Sequence, residues 1–284
     1  MERVDRLGWA AGLSFTSYGL RLGLRVNDPA VLPRLIDRLP PGWRPAPSRN
    51  FREIYSFVVG GETKRPGLRR YHMAYQGPNR LSRTHDLDEA IEAFESDLRL
   101  YVALWARRRV FIHAGVVEWR GRAIVLPGPS YSGKSSLVSA LVQAGATYYS
   151  DEYAVLDASG RVHPYPAALR TRTGESRWPR RAPAESLGGG ARPLRPLRVG
   201  LVAVSQYRDQ ARWRPRPLTR GQGALALLSN TVPAQLRPKE ALQAIGNILS
   251  GTRILKGARG EATAMASDLL REAESSRFDE GANA

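Results

Sequence analysis

The chain has 284 residues, 42% hydrophobic and 24% charged, a make-up that suits a globular protein large enough for one big domain or two modest ones. It contains no cysteine and only four scattered histidines (His72, His85, His113, His163), which excludes disulfides, thiolate chemistry and cysteine zinc sites; any metal is expected to be a hard ion held by oxygens. The formal charge is +17, and no apolar run approaches the roughly 20 residues of a membrane helix, nor does the N-terminus read as a secretory signal, so the expected address is the cytoplasm, away from any membrane.

Taken in order, "GLSFTSYGLRLGLRV" alternates as a strand or hairpin does, and "DPAVLPRLIDRLP" carries Val31, Leu32, Leu35, Ile36 and Leu39 at helical spacing. The first 80 residues thus read as a small α+β region without evident chemistry. A long helix is predicted over "DLDEAIEAFESDLRLYVALWARRR", with Ile91, Phe94, Leu98, Val102 and Trp105 on one stripe. Asp86 and Glu89 have the spacing of a capping box, and Arg107 to Arg109 suit the negative end of the helix dipole.

"VFIHAGVVEWRGRAIVLPG" predicts two strands turning at "EWRGR", the second buried over residues 123–126. A helix follows from about Lys134 to Gly145 with Leu137, Val138, Leu141 and Val142 inward, then one strand through "TYYSDEYAVLD" closed by "ASG". Strand, glycine loop, helix, strand is the order of an α/β core. The Pro-, Arg- and Gly-rich stretch 161–197 is expected to be an exposed excursion. "VGLVAV" reads as a short buried strand. Three helices are predicted near "GALALLSN", "PKEALQAIGNIL" and "ATAMASDLLREAE", ahead of a frayed tail.

Residues 161–220 hold 14 arginines against Glu175, Glu185 and Asp209, enough positive charge to attract polyanions, although a solvated basic surface has the same composition. Lysine is rare here: Lys64, Lys134, Lys239 and Lys256 are the only four. One stands in "GPSYSGKS", which matches G-x-x-x-x-G-K-[ST] at Gly128, Gly133, Lys134 and Ser135. In that pattern a loop of backbone N–H groups wraps a β-phosphate, and a compact ammonium reaches the β/γ oxygens where the wide fork of arginine fits poorly. Gly128, Pro129, Ser130, Tyr131, Ser132, Gly133, Lys134, Ser135 and Ser136 are therefore the expected nucleotide-binding stretch, with the Ser135 hydroxyl toward Mg²⁺.

The apolar strand that usually brings a downstream acid to such a loop ends here in Gln206 and Tyr207, which disfavours a standard Walker-type ATPase or GTPase. Nearer in sequence, "YYSDEY" offers Asp151 and Glu152. Two adjacent carboxylates can divide labour, one holding Mg²⁺ and one accepting a proton from an attacking hydroxyl. His113 stands on the apolar strand ahead of the loop, where a lone histidine is commonly just a satisfied core residue. Arg170 and Arg172 follow the acidic pair and have the charge to neutralise a transferring phosphoryl group, or simply to cover a basic surface.

"HAGVV", "GPSYSGKSS" and "SDEY", in that order, resemble the kinase domain of the HPr serine kinase/phosphorylase family, whose phosphate loop is similar to that of phosphoenolpyruvate carboxykinases. The resemblance covers residues 110 to 160. It implies an α/β fold with a P-loop-containing mixed sheet core of the HPr kinase/PEP carboxykinase-like type. With the pattern of the rest of the chain, the expected division is a small N-terminal α+β region (1–85), a P-loop kinase-like domain (86–275) and a disordered tail (276–284). The resemblance also implies that Asp151 is the general base, that Glu152 is the metal-side carboxylate beside Ser135, and that His113 supports the catalytic acid and phosphate. The chain departs from the family at Ser136, where an acid is usual, at Asp151–Glu152 in place of Asp-Asp, and at Tyr131 in place of a small residue.

The implied activity is ATP- and Mg²⁺-dependent transfer of the γ-phosphoryl group to a hydroxyl, serine of a protein or peptide first, a small molecule second. An acidic acceptor would suit the basic segment, and family members often form rings, which adds a homo-oligomer to the implied partners. The competing expectation is an ATP-binding regulatory or scaffold protein that transfers nothing. No recognition-helix, RRM or zinc pattern supports specific nucleic-acid binding.

Overall fold

The computed structural model of the chain describes residues 2–47, 50–60, 70–130, 132–171, 180–183, 186 and 194–275. The expected tail, 276–284, lies outside the described residues. The fold is mixed α/β, and the chain divides into two compact units, Met1–Arg107 and Arg108–Ala284.

In the first unit a short helix α1 (Glu2–Asp5) precedes β1 (Ala11–Ser17) and β2 (Leu20–Val26). They form a hairpin whose two turn residues, Tyr18 (φ 47°) and Gly19 (φ 80°), are both left-handed, as the native twist of a two-residue turn requires. The helix expected over 28–40 is a 3₁₀ turn, Pro29–Val31, capped by Asp28, and a five-residue α2 (Leu32–Ile36); Pro33 interrupts the pattern's regularity. With β3 (Arg44–Pro45), β4 (Glu53–Val58), β5 (His72–Gln76) and β6 (Asn79–Thr84) the sheet order is β3-β1-β2-β4-β5-β6.

Helix α3 (Leu87–Trp105) packs on β5 and β6 with Ile91, Phe94, Leu98 and Val102 buried. It therefore belongs to this unit, whose end falls at Arg107 rather than at the expected 85/86 boundary. Asp86 caps α3 through the N–H groups of Asp88 and Glu89, while its own N–H donates to the Thr84 hydroxyl oxygen, which in turn donates to the Glu89 carboxylate. Trp105 is 38% exposed and leaves the predicted stripe. In its stead the helix buries a charged pair, Arg99 Nη2 to Glu95 Oε1 at 2.5 Å, with Arg38 Nη1 3.2 Å from the other Glu95 oxygen.

The second unit is built on β7 (Val110–Trp119) and β8 (Arg122–Pro127), the predicted hairpin, turning at Arg120 (φ 50°) and Gly121 (φ 85°). α4 (Lys134–Gln143) follows. The strand expected over 147–157 is broken in two, β9 (Thr147–Ser150) and β10 (Tyr153–Leu156), both antiparallel to β7. The interruption is at Asp151–Glu152. Part of the expected 161–197 excursion is also built in: β11 (Val162–His163) extends the sheet, β12 (Leu169–Thr171) pairs with β13 (Arg180–Ala182), and Tyr165, Ala167 and Leu197 are buried.

β14 (Val199–Tyr207), β15 (Arg216–Pro217), α5 (Arg220–Leu228), α6 (Pro238–Leu249), β16 (Arg253–Arg259) and α7 (Ala262–Ser275) complete the unit. The sheet order is β11-β10-β7-β8-β14-β16-β15, with β8, β14 and β16 parallel and β9 also on β7. The apolar run of β8 serves two cores by alternation. Ile124 and Leu126 face α4 and α7, while Ala123 and Val125 lie in the cluster of α5 and α6. Gly115 lets β7 approach α4, since a Cβ there would stand 2.6 Å from Val138 Cγ2. Among the described residues no helix is long and apolar enough to cross a membrane.

Candidate functional site

Three backbone segments are laced together where β8 ends. The Gly128 N–H donates to the His113 carbonyl at 3.2 Å, and the Ala114 N–H donates to the Glu152 carbonyl at 3.2 Å. The register sets His113 opposite Tyr153 and Ala114 opposite Pro127. The histidine, the start of the glycine loop and the acidic pair are thereby brought to one place, although they are far apart in sequence. The sheet does this with antiparallel β9 and β10 beside β7, not with a parallel neighbour of β8.

The loop from Gly128 to Gly133 is tight. A Cβ on Gly128 would lie 2.7 Å from Ser132 Oγ. Gly133, the residue before α4, has φ 79°, a left-handed conformation that side chains resist. Lys134 turns back over the loop: Nζ donates to the carbonyls of Gly128 (2.8 Å) and Pro129 (2.7 Å). Two of its three protons are thus engaged. Burial holds the ammonium below its ordinary pKa, while the nearby charges of Asp151 and Glu152 pull it up. Pro129, Ser130 and Ser136 are exposed, Ser132 is half-buried, and Tyr131 lies outside the described residues.

Asp151 is 6% exposed, an acid inside the fold. Ser135 Oγ donates to its Oδ2 at 2.8 Å, and the Arg170 N–H is 3.4 Å from the same oxygen. Tyr148 Oη lies 3.0 Å from Oδ1 and 2.8 Å from the Ala167 carbonyl. The phenol has one proton and donates it between these two acceptors, the carboxylate and the carbonyl. Burial raises the Asp151 pKa, with the Glu152 charge adding to the rise, and the Ser135, Tyr148 and Arg170 hydrogen bonds opposing it. Glu152 is half-buried, its peptide and that of Tyr153 tied to the Ser150 hydroxyl at 3.2 and 3.0 Å.

His113 is half-buried against the Tyr153 ring, 4.9 Å between centroids. Burial first and the Lys134 charge second lower its pKa, against a hydrogen bond to the Glu152 backbone, so it is neutral at pH 7. Of the two arginines considered from sequence, Arg170 brings its peptide to Asp151 and Arg172 is outside the described residues.

One residue at this site has no signature in the sequence. Arg259, at the end of β16, is 3% exposed and donates through Nη2 to the carbonyls of Ser132 (3.2 Å) and Gly133 (3.1 Å), and through Nη1 to that of Gly260 (3.1 Å). Its guanidinium stands 5.4 Å from the centroid of the Tyr207 ring. It fills the space that a Cβ on Gly133 would need. "RILKGAR" has neither clean alternation nor a motif, and only the parallel pairing of Tyr207 with Arg259 delivers the side chain to the loop.

The oxygen donors Ser135, Asp151 and Glu152 suit a hard divalent cation and not a soft one. Among the described residues no three acidic or histidine side chains gather as a cage of their own, so a cation here would share its shell with substrate oxygens, the usual situation for Mg²⁺. Comparison of the chain with protein-family models and with curated proteins gives no match.

Proposed function

We propose that this site is a P-loop and that the protein is an ATP-dependent kinase transferring the γ-phosphoryl group to a hydroxyl, most simply a serine of a protein or peptide, in the manner of the HPr kinases it resembles. The observation that carries the reading is the 2.8 Å bond between Ser135, on the first turn of the helix after the glycine loop, and the buried Asp151. Nucleotide-binding and proton-accepting groups are in this way held within one hydrogen bond of each other.

The chemistry follows from the residues. Lys134 and the loop hold the phosphates, and the third ammonium proton remains to bind an oxygen of the transferring group. Asp151, whose proton affinity is raised by burial, accepts the proton of the acceptor hydroxyl as its oxygen bonds to the γ-phosphorus and the bond to the β-phosphate oxygen breaks. Neutral His113 adds no second positive charge beside Lys134. Ser135 and Glu152 would hold Mg²⁺, which when bound neutralises charge on the phosphates, and Asp151 is left to the proton.

Incubation of the chain with γ-labelled ATP and Mg²⁺ in a lysate of the native organism, beside Lys134→Ala, tests the proposal. A labelled polypeptide that disappears with the variant supports it. Labelling unchanged by the variant, or ATP binding without any labelled product, removes the kinase reading and leaves a nucleotide-binding regulatory protein.

A further inference from the structure

A second cationic site lies at the opposite end of β8 from the glycine loop. The strand has six residues, so Arg122 at its start and Gly128 just past its end are about 20 Å apart at 3.3 Å per residue. Here a cleft of about 490 Å³ opens among Arg122, Arg161, Arg198, Asn247, Ser250 and Thr252, and an adjoining one of about 310 Å³ shares those three arginines and adds Arg195. Volumes of this size belong to small-molecule sites. Among the described residues no Asp or Glu lines either cleft.

The walls are built. The stem of Arg122 lies over Gly200, where a Cβ would stand 3.0 Å from both its Cβ and its Cδ, so glycine there leaves the arginine its path. The turn bearing Arg161 is pinned to the end of α6: Asn247 Nδ2 donates to the Ala158 carbonyl at 2.6 Å, and Gly160 (φ 77°) sits so close that a Cβ would be 2.9 Å from Asn247 C and Ile248 N. The acid of that turn, Asp157, is spent within it. It accepts from Ser159 N and Oγ and from Arg161 N and pairs with His163 at 2.8 Å, and these bonds hold its carboxyl down at about 2 in spite of burial.

Among the described residues three exposed arginines, Arg161, Arg195 and Arg198, line this concave surface without an acid in its lining, and cations so gathered favour a bound polyanion. The planar forks match phosphate oxygens two at a time. We infer that this cleft binds a small anion carrying two or more phosphate groups. The site is separate from the glycine loop and does not depend on the kinase reading.

The probe is inorganic tripolyphosphate, titrated calorimetrically into the Lys134→Ala chain so that the loop's own phosphate binding is weakened in every sample. One-to-one binding is expected, with affinity at least tenfold lower when Arg161→Gln and Arg198→Gln are added. Both arginines are exposed, so the added changes should leave the melting temperature without ligand as it was. As a second readout, tripolyphosphate should raise the melting temperature of Lys134→Ala and not that of the triple variant. Absence of binding to Lys134→Ala, equal binding by the triple variant, or citrate binding as tightly as tripolyphosphate would overturn the inference.

Discussion

The Ser135 hydroxyl and the Asp151 carboxyl are 2.8 Å apart across a separation of 16 positions in the chain. The first turn of α4 and the gap between β9 and β10 are joined by this bond, and the acid sits inside the protein because Tyr148 and the Arg170 peptide close over its other side. A charge held there is useful for accepting a proton and expensive for folding.

Asp151→Asn should keep ATP binding and lower phosphoryl transfer by about 10²- to 10⁴-fold, the usual share of a general base. It should also raise stability at pH 8. The folded-state pKa of Asp151 is above its unfolded value, so stability falls as pH rises through the folded value. The amide avoids that loss, while below the ordinary carboxylate pKa, near 4, Asp151 is protonated in both states and the advantage disappears. Calorimetry at pH 8 and at pH 3 should show a higher melting temperature only at the former. An equal shift at both would contradict the burial argument.

For the same reason the acid limb of the kcat–pH profile should lie above the range of an ordinary carboxylate, because the base works only when ionised. A limb at or below pH 4 would mean that another group accepts the proton.

Arg259→Leu leaves the Ser132 and Gly133 carbonyls without their buried donor. Losing a buried charged donor costs about 1–3 kcal/mol of stability, so the melting temperature should fall, and ATP affinity measured by titration should fall with the loop's order while circular dichroism shows the fold intact. Unchanged affinity would reduce Arg259 to a packing residue.

Gly133→Ala should abolish nucleotide binding more severely than Arg259→Leu, since it forces a Cβ into a left-handed conformation and against the Arg259 guanidinium. Combining Gly133→Ala with Arg259→Leu removes the clash and leaves the strain. Partial recovery of ATP binding in the double variant is the expected outcome.

In the first unit Glu95 is fully buried between Arg99 and Arg38. Glu95→Ala takes the acid from the buried Arg99, while Arg38 keeps Glu92 at 3.2 Å, and should destabilise that unit by about 3–5 kcal/mol, read as lost hydrogen-exchange protection in α3. Glu95→Gln, which retains an acceptor, should lose less.

Patterns of short range were legible in the residues. The Arg120–Gly121 hairpin, α4 behind its glycine loop, and α6 with Ala241, Ala244, Ile245 and Ile248 inward all follow from turn chemistry and spacing within a dozen positions. Lys134, Ser135, Asp151 and His113 stand out in the string for the same reason, because the glycine-lysine-serine loop and the acidic pair are local patterns. What was not legible depends on which strand lies beside which. The break at Asp151–Glu152, the delivery of Arg259 by β16, the exposure of Trp105 and the arginine cleft at the strand starts are set by pairings across tens to more than a hundred residues. Burial and desolvation belong to those long-range contacts, and a linear string carries no record of the dielectric around a side chain. It shows which side chains are titratable, while their proton affinities and their distances from one another came into being only when the sheet closed.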